Sequence, residues 1–464
     1  MKNICTPLLP IAVCLALGVI AADIWQPAMP MPPFFAGLVV VALLCRRWPL
    51  AQSVALCCCS LALGMATRQR AGGVGIAPLG KELEAVVMSE PAVRPRTLAV
   101  DLLVPDADGL TLRCYLHKDD SSLLLQPGDR MVVSSLRVME GHGRRLPVYY
   151  VCRDCWHTGG DALGRMSRWQ LLRLRFLRLR HGLLQHYRDL GAAGDEYAAL
   201  AAMTLGDKSA LSPGLRQTYS VSGASHVLAL SGLHIGIVYM LLSLLTLGRR
   251  RYWLSQVFIV GSIWAFALLT GLSPSVTRSA AMISIYAVFS MRNGGRASVN
   301  VLCIAAIVML LADAAILFDV GFQLSFASVL AILLFMPLLE RLWHPRRRAL
   351  RCLWGMVAVA LCAQLGAAPL VAFHFGRFSV YFLLTNFIVV PAAMVVIYGA
   401  LAALIAPQCS PALVYTVRQL NNALGVIAEL PHSSIDGLHP SALQTCMVYV
   451  LILILYLILG RLAK

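Results

Sequence analysis

The residues best suited to chemistry lie in Ser222-Gly-Ala-Ser-His-Val-Leu-Ala-Leu-Ser-Gly-Leu-His-Ile-Gly236, at the head of an apolar run that continues to Leu247. Ionisable groups at membrane depth cost a few kcal/mol each unless they face protein or water. His226, Ser231 and His234 therefore need partners or a use. On a continuous helix, Ser231 and His234 lie three apart on one face, so hydroxyl and imidazole meet. Gly232 and Gly236 permit close helix approach or a local break. The pair fits three roles: a satisfied helix contact, the wall of a hydrated path, or the nucleophile and base of an intramembrane hydrolase. Against the last, Ala229 and Leu233 stand where a nucleophile elbow needs glycines.

Three other groups share this character. Asp207 and Lys208 precede the first stretch, with Arg216 close behind. Thr270-Gly-Leu-Ser-Pro-Ser-Val-Thr-Arg278 sets an arginine at the mouth of an apolar run. Leu317-Phe-Asp-Val-Gly-Phe-Gln-Leu-Ser325 carries Asp319 and Gln323 four apart on one helical face, followed by Ser325. Arg278 is placed either to pair with Asp319 or to hold a phosphate.

The elements that position these groups are apolar. Of the 464 residues 59% are hydrophobic and only 13% charged, with mean hydropathy +0.73. Soluble domains carry about 25% charged residues. The fold class is a polytopic α-helical membrane protein. Candidate spans are Leu8 to Ile24, Phe34 to Cys45, Ala51 to Met65, Leu233–Leu247, Trp253–Leu269, Ala280–Met291, Val301–Leu311, Leu324–Leu338, Leu353–Ala372, Tyr381–Ile405 and Met447–Leu459. The first is read as an uncleaved anchor because further spans follow it at once. A net charge of +17 resides largely in short loops, at Arg46-Arg47, Arg249 to Arg251, Arg292 with Arg296, and Arg341 to Arg351. The positive-inside rule makes these cytoplasmic, which weakens net charge as an argument for nucleic acid. Counting spans from them leaves Arg461 and Lys464 outside, so one segment is miscounted or re-entrant; the run interrupted by Pro391 is the suspect.

Four regions follow: N-terminal transmembrane helices (1–66), an extracytoplasmic β domain (67–160), a basic interfacial helix (161–194), and a transmembrane channel domain (195–464). Within 67–160, short strands are expected at Glu82–Met88, Thr97–Val104, Leu110–Leu116, Arg130–Val138 and Pro147–Cys152, separated by turn chemistry at Pro105–Gly109 and Gln126–Asp129. Five strands inserted after the third transmembrane helix point to a small OB-like β-barrel. Such barrels bind single strands with aromatic platforms and a basic groove. Tyr149 and Tyr150 with Arg113, Arg144 and Arg145 are the candidates, unless the barrel only braces the membrane part. Most cysteines fall in or beside apolar runs. Cys114, Cys152 and Cys155 do not, and a disulfide between Cys114 and one of the other two is favoured over half a zinc site. No metal or cofactor is expected. Gly75 to Lys81 imitates a phosphate-binding loop, but Glu82 stands where Ser or Thr is needed. The arginines of Arg168–Arg180 do not fall on one helical face, which suits snorkelling along a membrane surface.

Taken in order, Leu205-Gly-Asp-Lys208, Leu211-Ser-Pro213, His226 to Gly236, Leu269 to Arg278 and Phe318 to Ser325 resemble the competence domain of the ComEC family. The resemblance is specific over roughly residues 195–400. It implies an inner-membrane, multi-pass channel in bacteria for uptake of single-stranded transforming DNA. It implies an extracytoplasmic DNA receptor and a cytoplasmic helicase-like ATPase as partners beside the lipid bilayer, and is compatible with a homo-oligomer. No His-x-His-x-Asp-His run follows the last span. The resemblance is therefore to the form lacking the metallo-β-lactamase-like nuclease domain, a channel and not an enzyme. The rival readings are the Ser231/His234 hydrolase and a small-solute transporter with a soluble cap.

Overall fold

The computed structural model describes residues 8–25, 49–71, 82–94, 96–105, 110–134, 136–138, 148–151, 156–159, 162–246, 252–293 and 299–462. The expected span Phe34 to Cys45 and residues Arg144, Arg145, Cys152 and Cys155 lie outside the described residues. Two apolar helices come first, α1 (Leu8–Trp25) and α2 (Pro49–Ala71), packed on one another.

Alternating sequence then gives way to strands: β1 (Leu83–Val87), β2 (Ala92–Val93), β3 (Thr97–Val104), β4 (Leu110–His117), β5 (Arg130–Val133), β6 (Leu136–Val138), β7 (Val148–Val151) and β8 (Trp156–Thr158). β3 shows the period of two, with Leu98, Val100, Leu102 and Val104 turned into the core beside Leu112, Cys114 and Leu116 of β4. β1 pairs antiparallel with β3 and β5, and β3 with β4. β4 runs parallel to β7, β7 antiparallel to β6, and β5 antiparallel to β8. A one-turn helix α3 (Asp120–Leu123) links β4 to β5. Its N-cap Asp119 accepts from the Ser122 N–H at 2.7 Å.

The basic segment forms α4 (Arg168–Asp189), opened by a Ser167/Gln170 capping box. It is a strut more than a surface helix. Leu174 and Leu177 pack on Val86, Met88 and Leu103 of the β domain, while Leu184 and Tyr187 join the core of the helical part. The His181 Nδ1–H donates to both carboxylate oxygens of Glu90 at 3.1 Å. Arg180, expected to snorkel, is buried because Asp207 supplies its counter-charge. Trp169, Leu172 and Leu179 remain exposed on the far side.

The polar stretch after Leu190 folds as α5 (Gly194–Leu205), α6 (Pro213–Val221) and α7 (Ser225–Leu228). Ser212 caps α6, accepting from the Leu215 N–H at 3.1 Å, with Pro213 at the first helical position. There follow α8 (Gly232–Leu245), α9 (Tyr252–Leu269), α10 (Pro274–Asn293), α11 (Val299–Ala312), α12 (Val320–Leu342), α13 (Arg348–Phe375), α14 (Phe382–Ile405), α15 (Ser410–Glu429) and α16 (Ala442–Leu462). Among the described residues four helices are long and apolar enough to cross a membrane: α12, α13, α14 and α16. The chain is a membrane protein of mostly helical build.

Two expectations change here. α14 runs unbroken through Pro391, as transmembrane helices tolerate when neighbours satisfy the freed carbonyl. An unexpected helix, α15, carries the chain back along α14. The return is fixed by the two-stranded antiparallel sheet of β9 (Arg377–Ser379) with β10 (Ser434–Asp436) and by the Val380 N–H donating to Ser433 O at 3.1 Å. α15 adds a helix antiparallel to α14 that the span count did not include. α16 starts beside Gly376, whose carbonyl accepts from the Leu438 N–H, and its Tyr449 hydroxyl donates to Gly366 O at 2.7 Å.

Candidate functional site at one end of the helix bundle

Ser231 is not inside a helix but at the N-cap of α8, with extended backbone. Its N–H donates to His234 Nδ1 at 3.2 Å, and its hydroxyl oxygen lies 3.1 Å from the same nitrogen. The His234 N–H donates to Ser231 O at 3.1 Å. Sequence spacing of three thus makes a capping box, with imidazole in the place usually held by Glu or Gln. Because Nδ1 accepts an N–H, the proton of the neutral ring is on Nε2. His234 is fully buried, and Nε2 has no hydrogen-bond partner among the described residues. Gly232 opens α8 beside Ser279 of α10, and Gly236 lies one turn on with open space at its Cα. The His226 Nδ1–H donates to Gly223 O at 3.1 Å. That side chain is exposed.

Arg278, near the start of α10, is 4% exposed and donates from Nη1 to Asp319 Oδ1 at 3.0 Å. Asp319 is also the N-cap of α12, accepting from the Phe322 N–H at 2.9 Å. One carboxylate therefore ties two helix starts together. Glycine follows at 321 because a Cβ there would sit 2.7 Å from Arg278 Nη2. Gln323 reaches back to donate from Nε2 to Leu317 O at 3.0 Å, which turns its Oε1 towards His374 Nε2 at 2.9 Å. A carbonyl oxygen only accepts, so His374 carries its proton on Nε2. Sequence reading missed His374; its signal was a lone imidazole near the end of an apolar helix. Ser325 is half-buried on α12.

Asp207 follows α5 and is buried, accepting from the Ser209 hydroxyl at 2.7 Å and lying 3.6 Å from Arg180 Nη2. Gly206 takes φ +70, and Leu230 fills the space its Cβ would need. Arg180 Nη1 lies close over Gly271, which has φ +76, so α4 touches two of the motif turns at one residue. Lys208 is exposed. Its carbonyl accepts from Arg216 Nη2 at 2.9 Å. Arg216 is exposed as well.

All five motifs thus meet at one end of the bundle, the end that α4 connects to the β domain. A family model described as Competence protein matches residues 203–462, more than half of the chain. The chain belongs to the competence protein family. It is 28% identical over 240 residues to ComE operon protein 3 of Bacillus subtilis (strain 168), covering 51% of this chain and 30% of that protein. It is 29% identical over 182 residues to Competence protein ComA of Neisseria gonorrhoeae, covering 37% and 26%. An uncharacterized protein of Aquifex aeolicus (strain VF5) is 30% identical over 155 residues, covering 32% and 34%. The matched part spans about a third or less of each relative's length. No solved structure matches.

The competence match begins at residue 203, so the β-domain candidates stand on their own geometry. Arg113 is already engaged: its Nε and Nη2 form a two-bond fork with the Asp101 carboxylate at 2.7 and 3.0 Å, which raises its pKa further. Tyr149 and Tyr150 lie on β7, their backbones in register with Cys114 and Tyr115. Cys114 is a free thiol packed in the sheet core, its pKa pushed up to about 12 by burial and by Asp101. The expected disulfide of Cys114 with Cys152 or Cys155 involves partners that lie outside the described residues. No cluster of three metal-ligating side chains occurs among the described residues.

Proposed function

We propose that this competence-family chain forms an inner-membrane path by which single-stranded DNA enters a bacterium during natural transformation. The observation that carries the reading is the convergence of all five motifs at one end of the bundle, joined by α4 to a β domain on that side. The opposite end carries the exposed Arg341, Arg346, Arg347, Arg348, Arg351 and Arg461. The positive-inside rule assigns that end to the cytoplasm, and hence the motif end and β domain to the outside. With α15 counted as a pass, the last basic residue falls on the same side as the others.

An OB-like reading of the β domain is supported by its pairing path. β1 joins β3, β3 joins β4, β4 lies parallel to β7, β7 joins β6, and β6 follows β5, which returns to β1. The short helix between β4 and β5 sits where that topology has one. In this reading the barrel receives the strand, with Tyr149, Tyr150, Arg144 and Arg145 as candidate contacts and Lys208 and Arg216 at the mouth. His234, Ser231, Arg278, Asp319 and Gln323 act mainly by holding the helix ends apart in fixed geometry. An extracytoplasmic DNA receptor, a cytoplasmic helicase-like ATPase and the bilayer are the partners. The test is reconstitution in vesicles with fluorescent single-stranded DNA, comparing wild type with Arg278→Ala. Uptake by wild type and loss in the variant are expected. Vesicles that pass small solutes but no DNA would favour the small-solute transporter instead.

A further inference from the structure

Most of the motif groups are enclosed by protein, whereas a second set of polar groups, on α15, is exposed. α15 retraces the 24-residue apolar helix α14, so the middle of its 20 residues lies near the middle of the membrane. That middle carries Arg418, Gln419 and Asn422 on its exposed face. Its neighbour α14 exposes Val395, Leu401 and Ile405 instead. Facing α15 is the start of α5. Arg418 Nε donates to Glu196 Oε1 at 2.8 Å, and Asn421 Nδ2 donates to Asp195 O at 3.4 Å.

The start of α5 is preceded by an exposed turn with Gly191 at φ +88, and its N-cap, Ala193, makes no side-chain cap hydrogen bond. The first turn of α5 thus begins without a side-chain cap from its N-cap residue. Irregular backbone at membrane depth is tolerated only inside protein or along a wet cavity. Here it is exposed, beside a polar helix face, which requires water.

We propose that the outer half of the passage runs along this face, as a water-filled crevice reaching mid-membrane with the Arg418–Glu196 pair at its floor. The assignment of a nucleic-acid strand to it rests on the function proposed above. Charge that is paired within the wall suits conduction, because a strand must bind weakly enough to leave again.

The experiment uses the full chain in vesicles, with Cys5, Cys14, Cys45, Cys57, Cys58, Cys152, Cys155, Cys352, Cys409 and Cys446 changed to serine so that only the buried cysteines remain. Gln419→Cys, Asn422→Cys and, on the apolar face of α14, Val395→Cys are treated with a membrane-impermeant charged maleimide from the β-domain side. Modification at 419 and 422 but not at 395 is expected, slowed several-fold when single-stranded DNA is added. Absence of modification at both polar positions overturns the crevice. Modification that DNA leaves unchanged overturns its assignment to the passage. Labelling needs no DNA transport, so the crevice is judged even in vesicles that admit no strand, where the DNA reading alone would fall.

Discussion

Asp319 makes two bonds that can be separated by substitution. Asp319→Ala removes both the cap on the Phe322 N–H and the counter-charge of a guanidinium that is 4% exposed. Losing an N-cap costs about 1 kcal/mol. Leaving one member of a buried ion pair behind costs about 3–5 kcal/mol, and the lower end applies because the Asp319 side chain is 26% exposed. Asp319→Ala should thus cost about 4 kcal/mol, and Asp319→Asn, which keeps the cap, about 3 kcal/mol. Arg278→Met leaves the carboxylate partly hydrated and should cost less than either. The double variant Arg278→Met/Asp319→Asn should be more stable than Asp319→Asn alone, since neither charge is then stranded. Unfolding free energies in mixed micelles measure all four. The reasoning fails if Asp319→Asn costs under about 1 kcal/mol, the range of a surface pair, and the two substitutions simply add.

Gly206→Ala forces a non-glycine into φ +70 against Leu230, and should cost about 2 kcal/mol and lower the thermal midpoint in detergent; an unchanged midpoint would count against the close approach. Burial raises the Glu90 carboxyl above its usual 4.5, outweighing the stabilising His181 hydrogen bond and charge, with Asp207 raising it a little and Arg180 lowering it. The native state then holds that proton more tightly than the unfolded chain, so this stability is present at low pH and is lost as pH rises from 4.5 through the raised value. The difference in unfolding midpoint between wild type and Glu90→Gln should change across that window; a constant difference would refute the assignment. Cys114, buried and with its pKa near 12, should resist maleimide in the folded protein and react only after unfolding; rapid modification would contradict its place in the core.

The β domain was legible because strands with one buried face write a period of two into the sequence, as β3 does, and because Gln126–Asp129 announces its turn. The apolar helices were legible for the opposite reason, since lipid demands long runs without charge. α15 was not, because Arg418, Gln419, Asn421 and Asn422 break the hydropathy that defines a span. The parity mismatch at Arg461 pointed to a miscounted segment, and the suspect Pro391 lies inside a continuous helix. At the site, spacing found the Ser231–His234 contact but misjudged its setting: an assumed helix face is in fact a cap. Arg278 and Asp319 stood out as rare charges. Arg180 did not, hidden among the many arginines of α4, and only the fold selects it through Asp207.

The cost of polar groups in hydrocarbon was the premise from which the sequence was read, and the structure divides its consequences in two. Where the polar group is enclosed, as with His234 and Arg278, most of the cost is met by another side chain or a helix end, and the residue explains architecture. Where it is exposed, as at Gln419 and Asn422 on α15, the proposed crevice supplies the water that meets the cost. Rarity in an apolar stretch therefore locates both kinds of residue, but only exposure in the folded chain separates those that hold the helices from those that face whatever passes between them.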